Sequence, residues 1–290
     1  MKPAPFEYHA PESVDDVLAL LAEHGDEAKP LAGGQSLVPM LAMRLTRFEH
    51  LIDLNRVPSL AGVTRTNGTL TLGATTRQVE LERDDKVAAV PLLALAAPLI
   101  GHFQIRNRGT VGGSIAHADP AAELPAVALA LDATLDVAGP SGARQVAAVD
   151  FFTGTWETTV DDGELLTAVH FPVWSGRAGF AVEEVARRHG DFALTGVACA
   201  VALGGDGSVE RAALAMFGMG STPIRTAKAE AALAGASPGD IDLTEIGQLA
   251  VRELDPPADI HASSEYRSAV GAYVVERGLA RALEEAQHAG

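Results

Sequence analysis

The spacing of apolar residues predicts a small lobe at the start of the chain. Apolar positions recur at helical intervals over residues 11–24, and shorter apolar runs at 29–32 and 50–54 are typical of strands. A further helix is predicted over 37–45, between the two strands, with Ser36 as its N-cap. These elements together predict a βαβ-like lobe that ends near residue 55.

The pattern changes after residue 55. Alternating residues on both sides of Asn67-Gly68 predict a hairpin over 62–73, because Asn-Gly favours the tight turns that join antiparallel strands. Apolar runs then predict a series of helices and strands. We expect helices over 75–81, 87–100 and 125–131, strands over 133–137, 144–148 and 164–171, and a loop at 150–154.

Residues 172–177 carry the best candidate for a domain boundary, since Pro-Val-Trp-Ser-Gly-Arg interrupts the apolar pattern. Beyond it, strands are predicted at 179–186, 193–203 and 211–217, and helices at 226–234, 243–252 and 263–286. Strands followed by helices are typical of an α+β domain. We therefore expect a first domain over 1–174, with lobes 1–55 and 56–174, and a C-terminal domain over 175–290.

Charge and hydropathy restrict the class of partner. The 290 residues carry a formal net charge of −16, which argues against nucleic acid and against anionic membrane surfaces. The longest apolar run, Val87–Ile100, is too short to span a bilayer and contains two prolines. The N-terminus has no apolar core of signal-peptide length. We expect a cytoplasmic protein without membrane insertion.

The single cysteine, Cys199, lies in an apolar run and is expected to be a buried structural thiol. One thiolate cannot hold an iron–sulfur cluster, which needs about four ligands. Redox chemistry beyond an organic cofactor would therefore come from another chain.

Two short glycine segments carry the candidate chemistry, Leu-Ala-Gly-Gly-Gln-Ser-Leu at 31–37 and Gly-Thr-Val-Gly-Gly-Ser-Ile at 109–115. Paired glycines allow positive φ and close approach of a ligand to the backbone. Successive amides in such a turn can cradle an anion, and a following helix start adds to this. Each segment alone could be a plain turn. Facing each other, the two would clamp a diphosphate, which suggests a dinucleotide ligand.

Other sites are not indicated by the sequence. A Walker loop is absent, and Gly218-Met-Gly220 is not a dinucleotide fingerprint because residue 223 is proline. The nine histidines, including His102, His117 and His189, show no spacing typical of a metal site. We assign no metal ligand and no catalytic residue from the sequence.

The two segments, in this order, resemble the FAD-binding medium subunits of the molybdenum hydroxylases, the family of the carbon monoxide dehydrogenase flavoprotein and the xanthine dehydrogenase FAD subunit. Ala-Gly-Gly-Gln-Ser at 32–36 and Thr-Val-Gly-Gly-Ser at 110–114 are similar to the two FAD motifs of that family. Family-like segments also lie at 104–110, 186–194, 220–225 and 259–267, so the resemblance covers nearly the whole chain. Ser114 and Gln35 depart from residues common in the family, although both still offer hydrogen bonds.

The resemblance implies an α+β chain with a two-lobed FAD-binding fold of the vanillyl-alcohol-oxidase (PCMH) type, followed by a C-terminal α+β domain. Amides of 33–37 and 112–114 would bind the diphosphate, Leu99–Gly101 would lie along the isoalloxazine, and Arg187 and Arg188 would balance charge on reduced flavin unless they are simply a solvated pair. The cofactor-binding residues implied are Lys29, Leu31, Ala32, Gly33, Gly34, Gln35, Ser36, Leu37, Leu99, Ile100, Gly101, Thr110, Gly112, Gly113, Ser114, Glu123, Leu166, Arg187 and Arg188.

The function implied by the resemblance is that of an FAD-containing oxidoreductase subunit. It would accept electrons from iron–sulfur clusters on a small 2Fe-2S subunit, beside a large molybdenum-cofactor subunit, in a dimer of heterotrimers. A stand-alone flavin oxidase or reductase is the alternative, with His102 as its first candidate acid–base group. A flavin-free scaffold subunit is a third, which the intact glycine segments disfavour.

Overall fold

The first lobe is a parallel three-stranded sheet covered by a helix. The computed structural model describes residues 2–289. Central strand β3 pairs with β1 on one side and β2 on the other. Ser13 caps the first helix, which buries Val17 and Leu21 against Ile52 of the sheet. In chain order the elements are β1 (Glu7–His9), α1 (Val14–His24), β2 (Ala28–Leu31), α2 (Leu37–Met43) and β3 (His50–Asp53).

The second lobe is built on an antiparallel sheet with the strand order β4-β5-β10-β6-β7. Strands β8 and β9 form a separate two-stranded ribbon. The elements are β4 (Val63–Thr66), β5 (Thr69–Gly73), α3 (Pro91–Ala96), α4 (Phe103–Arg106), α5 (Val111–His117), α6 (Glu123–Ala130), β6 (Thr134–Gly139), β7 (Gly142–Ala147), α7 (Ala148–Phe151), β8 (Phe152–Gly154), β9 (Glu157–Thr158) and β10 (Leu165–Pro172).

Four local expectations differ from the structure. The helix predicted over 75–81 is a 3₁₀ turn at Gln78–Glu82, and the helix predicted over 87–100 is α3 with a 3₁₀ turn on each side. Prolines within the second run restrict it to short helical pieces. The loop expected at 150–154 contains the end of α7 and strand β8. Ser36 occupies the N-cap position of α2 but makes no side-chain capping bond.

The C-terminal region is a four-stranded antiparallel sheet in the order β11-β12-β13-β14, followed by three helices. The long helix α10 packs along β11 and β12, and α3 and α6 of the second lobe pack against this sheet as well. Its elements are β11 (Arg177–Val185), β12 (Thr195–Leu203), β13 (Val209–Phe217), β14 (Ile224–Arg225), α8 (Ala227–Leu233), α9 (Leu243–Val251) and α10 (Ser264–His288).

One hydrophobic core continues across the proposed domain boundary. Ala198 and Ala200 of β12 belong to the same cluster as the sheet and helices of the second lobe. Val197, Cys199 and Val201, on the other face of the strand, belong to a second cluster with α9 and α10. The chain therefore changes from one sheet to another near residues 174 and 175 without a break in packing. A domain boundary at this point is a proposal. Within residues 2–289, no helix is both long and apolar enough to cross a membrane.

Candidate cofactor-binding cleft

The first glycine segment is a tight loop between β2 and α2 that leaves its amides free. Gly34 has a φ of +73°. In the described part of the chain, the backbone N–H groups of residues 33–37 donate to no protein acceptor, whereas the next amide, of Val38, donates to the Gly34 carbonyl oxygen. Five successive donors without a protein partner can bind an anion, because such amides take an acceptor from a ligand or from water.

Gly33 is where this loop touches the second segment. A Cβ atom on Gly33 would lie 2.5 Å from the Arg108 carbonyl oxygen and 2.7 Å from the Gly109 Cα atom. A Cβ atom on Gly113 would lie 3.3 Å from the Cβ atom of Ala32. The structure therefore brings the two glycine segments into contact, as the sequence predicts, and only glycine allows this approach at Gly33.

The second segment differs from the expected loop, because Gly112 and Gly113 lie inside the first turn of α5. The Gly112 amide donates to the Ala74 carbonyl oxygen at 2.9 Å, the Gly113 amide to Thr110 Oγ1 at 3.1 Å and the Ser114 amide to the Thr110 carbonyl oxygen at 3.1 Å. These amides are occupied by protein acceptors, in contrast to the expectation that they donate to a ligand. Thr110 is buried, Ser114 is half-buried, and neither lines the cleft over the first loop, so what this segment contributes there is a closely packed backbone.

An open cleft of about 510 Å³ lies over the first loop. Besides residues 31–35 it is lined by Val38 and Pro39 of α2 and by Tyr8, Asp53, Asn55 and Arg108. The sequence analysis named none of these as a cofactor-binding residue. The guanidinium of Arg108 makes no hydrogen bond or ion pair to any residue within 2–289, and its charge lies within Coulombic range of Asp53 in the same cleft. Guanidinium groups suit phosphates because their donors form a planar fork.

Asn55 and Arg77 fix the loop against the second lobe. Asn55 Nδ2 donates to the Ala32 carbonyl oxygen at 2.9 Å, and Arg77 donates to Asn55 Oδ1 at 2.6 Å and to the Arg108 carbonyl oxygen. Asp53 accepts hydrogen bonds from Tyr8 and Asn55. Partial burial acts to raise the pKa of Asp53, but these hydrogen bonds outweigh it and the net pKa lies below its usual value.

Lys29 lies on β2, two residues before Leu31 of the cleft lining. Its ammonium is 5.6 Å from the centre of the Phe48 ring. Burial lowers the pKa of His117 below its ordinary value. The positive charge of Lys29 lowers it further, whereas the negative charge of Asp119 acts to raise it. Lys29 is therefore within Coulombic range of the C-terminal end of α5. Ala32, Gln35 and Ser36 belong to the loop itself, whereas Leu31 ends β2 and Leu37 begins α2. Gln35 Nε2 donates to the Gly33 carbonyl oxygen.

A second group of predicted residues meets away from the glycine contact. Gly101 has a φ of +51°, and Arg106 donates to the carbonyl oxygens of Ile100 and Gly101. A Cβ atom on Gly190 would lie 3.0 Å from the Gly101 carbonyl oxygen, so Leu99–Gly101 adjoins the segment that carries Arg187 and Arg188. Both arginines face Asp191, at 4.0 and 3.5 Å, and both are substantially exposed.

Glu123 is a buried carboxyl group, and the half-buried Glu184 lies near enough for its charge to act on Glu123. Burial raises the pKa of Glu123 to about 8, with the negative charges of Glu184 and Asp119 adding to the effect. Burial alone raises the pKa of Glu184 to about 7, and its Oε2 atom accepts no hydrogen bond from the described residues. Glu123 is the first residue of α6. Leu166, another of the predicted residues, is buried on β10, a strand that packs against α5. The pair can hold protons at neutral pH.

Two family models match successive parts of the chain. The model of the FAD binding domain in molybdopterin dehydrogenase matches residues 4–174, and that of the CO dehydrogenase flavoprotein C-terminal domain matches residues 180–282.

Similar proteins align over almost their whole length. The 6-hydroxypseudooxynicotine dehydrogenase complex subunit alpha of Paenarthrobacter nicotinovorans is 42% identical over 99% of this chain and 97% of its own. The carbon monoxide dehydrogenase medium chain of Hydrogenophaga pseudoflava is 37% identical over 96% of this chain and 97% of its own. The solved carbon monoxide dehydrogenase from Hydrogenophaga pseudoflava superposes with a TM-score of 0.96 at 38% identity, covering 98% of this chain and 99% of that one.

Proposed function

This chain belongs to the family of FAD-binding medium subunits of the molybdenum hydroxylases, and from that premise we propose that it transfers electrons within a multi-subunit dehydrogenase. It binds FAD and is an oxidoreductase subunit. The proposed electron donors are iron–sulfur clusters on a small partner subunit, reduced by a large molybdenum-cofactor subunit, and the acceptor is external to the complex. We propose a dimer of such heterotrimers.

The division of labour is supported by the only cysteine of the chain. Cys199 is fully buried, and burial raises the pKa of its thiol, so it neither ligates a cluster nor serves as an exposed redox thiol. Bound FAD supplies the redox chemistry, since flavins exchange electrons singly or in pairs. This chain positions the cofactor and sets the charge around it.

The observation that carries the proposal is the row of five free amides at residues 33–37, beside the unpaired guanidinium of Arg108. Together they suit a diphosphate, with donors from one side and a cation from the other. The hydroxyls of Thr110 and Ser114 would add donors, and Lys29 would lie toward the adenosine end. Gly112 and Gly113 would serve by their small size, since their amides are occupied.

The flavin ring is proposed to lie along Leu99–Gly101, with Leu166 as an apolar neighbour. Glu123 would keep a proton near the ring, because its pKa is raised to about 8 by burial. Arg187 and Arg188 would provide positive charge toward reduced flavin. Their partial pairing with Asp191 leaves a net positive charge in this segment.

The first test is the visible spectrum of the purified chain together with its activity alone and with partners. We expect close to one FAD per chain, no oxidation of the substrate of the complex by this chain alone, and reduction of its FAD when the reduced iron–sulfur subunit is added. A folded chain that takes up no FAD, or one that turns over substrate unaided, would overturn the proposal.

A second test addresses the diphosphate contact. Arg108→Gln should weaken FAD binding about 10- to 100-fold, because hydrogen bonds to charged groups contribute about 1.5–3 kcal/mol each. The loss should shrink at high salt, where the charge is screened. Arg65→Gln is the matched control, since Arg65 is exposed on the hairpin strand β4. Equal FAD affinity of the two variants would remove Arg108 from the site.

A further inference from the structure

Three histidines from three elements of the first lobe meet on one side of its sheet. His9 ends β1, His50 begins β3 and His24 is the last residue of α1. One candidate ligand atom from each lies within 4.8 Å of the other two. The sequence analysis did not associate them, because they are far apart along the chain and the parallel pairing of β1 with β3 brings them together.

We propose that this histidine cluster is a binding site for one borderline divalent transition-metal ion, for which Zn²⁺ is the reference. Histidine nitrogens bind zinc at about 2.0–2.1 Å, so two ligands of a tetrahedral ion are about 3.3 Å apart. His9 Nε2 and His50 Nδ1 are 3.1 Å apart, close to that separation. An all-nitrogen set of this kind selects Zn²⁺, Cu²⁺ or Ni²⁺ over Mg²⁺ or Ca²⁺, which prefer oxygen.

The surroundings of the cluster favour a cation. The Glu7 carboxylate is 3.7 Å from His50 Nδ1 and is well exposed, so it or a water molecule can take the fourth position. His24 lies at the C-terminal end of α1, where the helix dipole is negative. Its ring stacks on His50 with centroids 3.7 Å apart, so metal binding requires this partly exposed side chain to rotate out of the stack and turn a nitrogen toward the shared ion.

The position of the cluster gives the ion a structural role. Strand β1 is short and lies at the edge of the sheet, so a metal bound by His9, His50 and His24 would fasten it to β3 and α1. Tyr8 lies between Glu7 and His9 on β1, so its side chain points to the opposite face of the sheet. There it donates a hydrogen bond to Asp53 at the cofactor cleft. Metal on one face would thus hold the strand that lines the cleft on the other.

The same contacts could instead be only a hydrogen-bonded and stacked imidazole cluster, and zinc titration separates the two. The tag-free, FAD-loaded chain is stripped with chelator and titrated with Zn²⁺ by calorimetry. We expect one Zn²⁺ per chain, with affinity that falls on acidification because protons compete for the imidazoles. Absence of a stoichiometric Zn²⁺ site would overturn the proposal.

Matched variants locate the site. His24→Ala keeps a good helix former at that position and should weaken Zn²⁺ binding at least about tenfold. His261→Ala removes an exposed imidazole elsewhere and should bind like the wild type. An unchanged circular dichroism spectrum shows that each variant is folded, and X-ray absorption at the zinc edge should show multiple scattering from three imidazole rings in the wild type. Equal affinity of His24→Ala and wild type would place the ion elsewhere and refute this site. The result does not depend on the electron-transfer role.

Discussion

Individual glycines in the cleft are distinguished by what a side chain would meet there. At Gly33 the obstacle is backbone, the carbonyl oxygen of Arg108, which cannot rotate away. At Gly113 it is the Thr110 hydroxyl at 2.6 Å, the movable end of a side chain. The two positions therefore differ in their tolerance of a methyl group, although the sequence motif presents them as equivalent.

We expect Gly33→Ala to abolish FAD retention, since it would push the first loop away from the second segment. Gly113→Ala should retain FAD with reduced affinity, because Thr110 can shift. Gly205→Ala, at a turn where a Cβ atom meets nothing within 4 Å, is the control. FAD per chain and the circular dichroism spectrum of each variant are the measurements. Stoichiometric FAD in Gly33→Ala would contradict the close contact of the two segments.

The thiol of Cys199 is predicted to be inert. It is 0% exposed, and burial raises its pKa, so little thiolate forms and reagents cannot reach it. A thiol-specific chromogenic reagent should find no reactive group in the native chain and one after unfolding. Cys199→Ala should leave the flavin spectrum unchanged. Rapid labelling of the native chain would show that this part of the core opens readily.

The residues that hold the cleft together show where the sequence stops being informative. The glycine segments could be predicted because a backbone that needs positive φ or close approach requires glycine, and paired glycines are recognisable in the sequence. Asn55, Arg77 and Arg108 could not, because their part depends on hydrogen bonds between segments distant in the chain. The sequence also does not show which backbone amides are free to bind a ligand. The amides of Gly112 and Gly113 donate to protein acceptors, whereas those of residues 33–37 do not.

Among the elements, the β4–β5 hairpin offers a test of backbone strain alone. Asn67 and Gly68 both have positive φ, 51° and 77°, and a Cβ atom on Gly68 would meet nothing within 4 Å. Gly68→Ala should therefore lower the free energy of unfolding by about 1 kcal/mol, through conformation and not through a clash. Asn67→Gly is the matched variant and should cost little. Chemical denaturation measures both, and FAD content should not change.

Long periodic elements were predicted well and short ones were not. The helices α8, α9 and α10 and the strands β11, β12 and β13 lie within a few residues of their predicted bounds, because their patterns extend over several turns or alternations. Strand β1 was missed because three residues carry no periodicity. The apolar run 87–100 misled us, since continuous burial looks the same in one helix and in several short turns.

For the molecule as a whole, buried carboxyl groups should make stability depend on pH. The pKa of Glu123 is raised to about 8, whereas an unfolded glutamate titrates near about 4.3. The folded state thus binds more protons between these values, and the free energy of unfolding should fall as pH rises from about 4.5 to about 8.

Glu123→Gln removes this titration and should make the profile less steep, with the smaller slope contributed by Glu184 remaining. At pH 9 the variant should be more stable than the wild type, by an amount on the order of 5 kcal/mol, and the advantage should vanish near pH 4. Glu23→Gln, at an exposed position on α1, is the control and should follow the wild type. Denaturant titrations across this pH range give the answer. Parallel profiles for all three would mean that Glu123 is ionised in the folded chain.

The two-faced burial of β12 has a consequence for how such chains can diversify. Its alanines pack toward the FAD-binding lobe and its larger residues toward α9 and α10, so each face must match a different neighbour. A chimera that joins residues 1–174 of this chain to the C-terminal region of a relative would pack the second lobe against a β12 whose side chains match a different lobe. Exchanging the parts of two relatives at residues 174 and 175 should therefore lower the stability of the folded chain. The two parts are expected to change together in evolution.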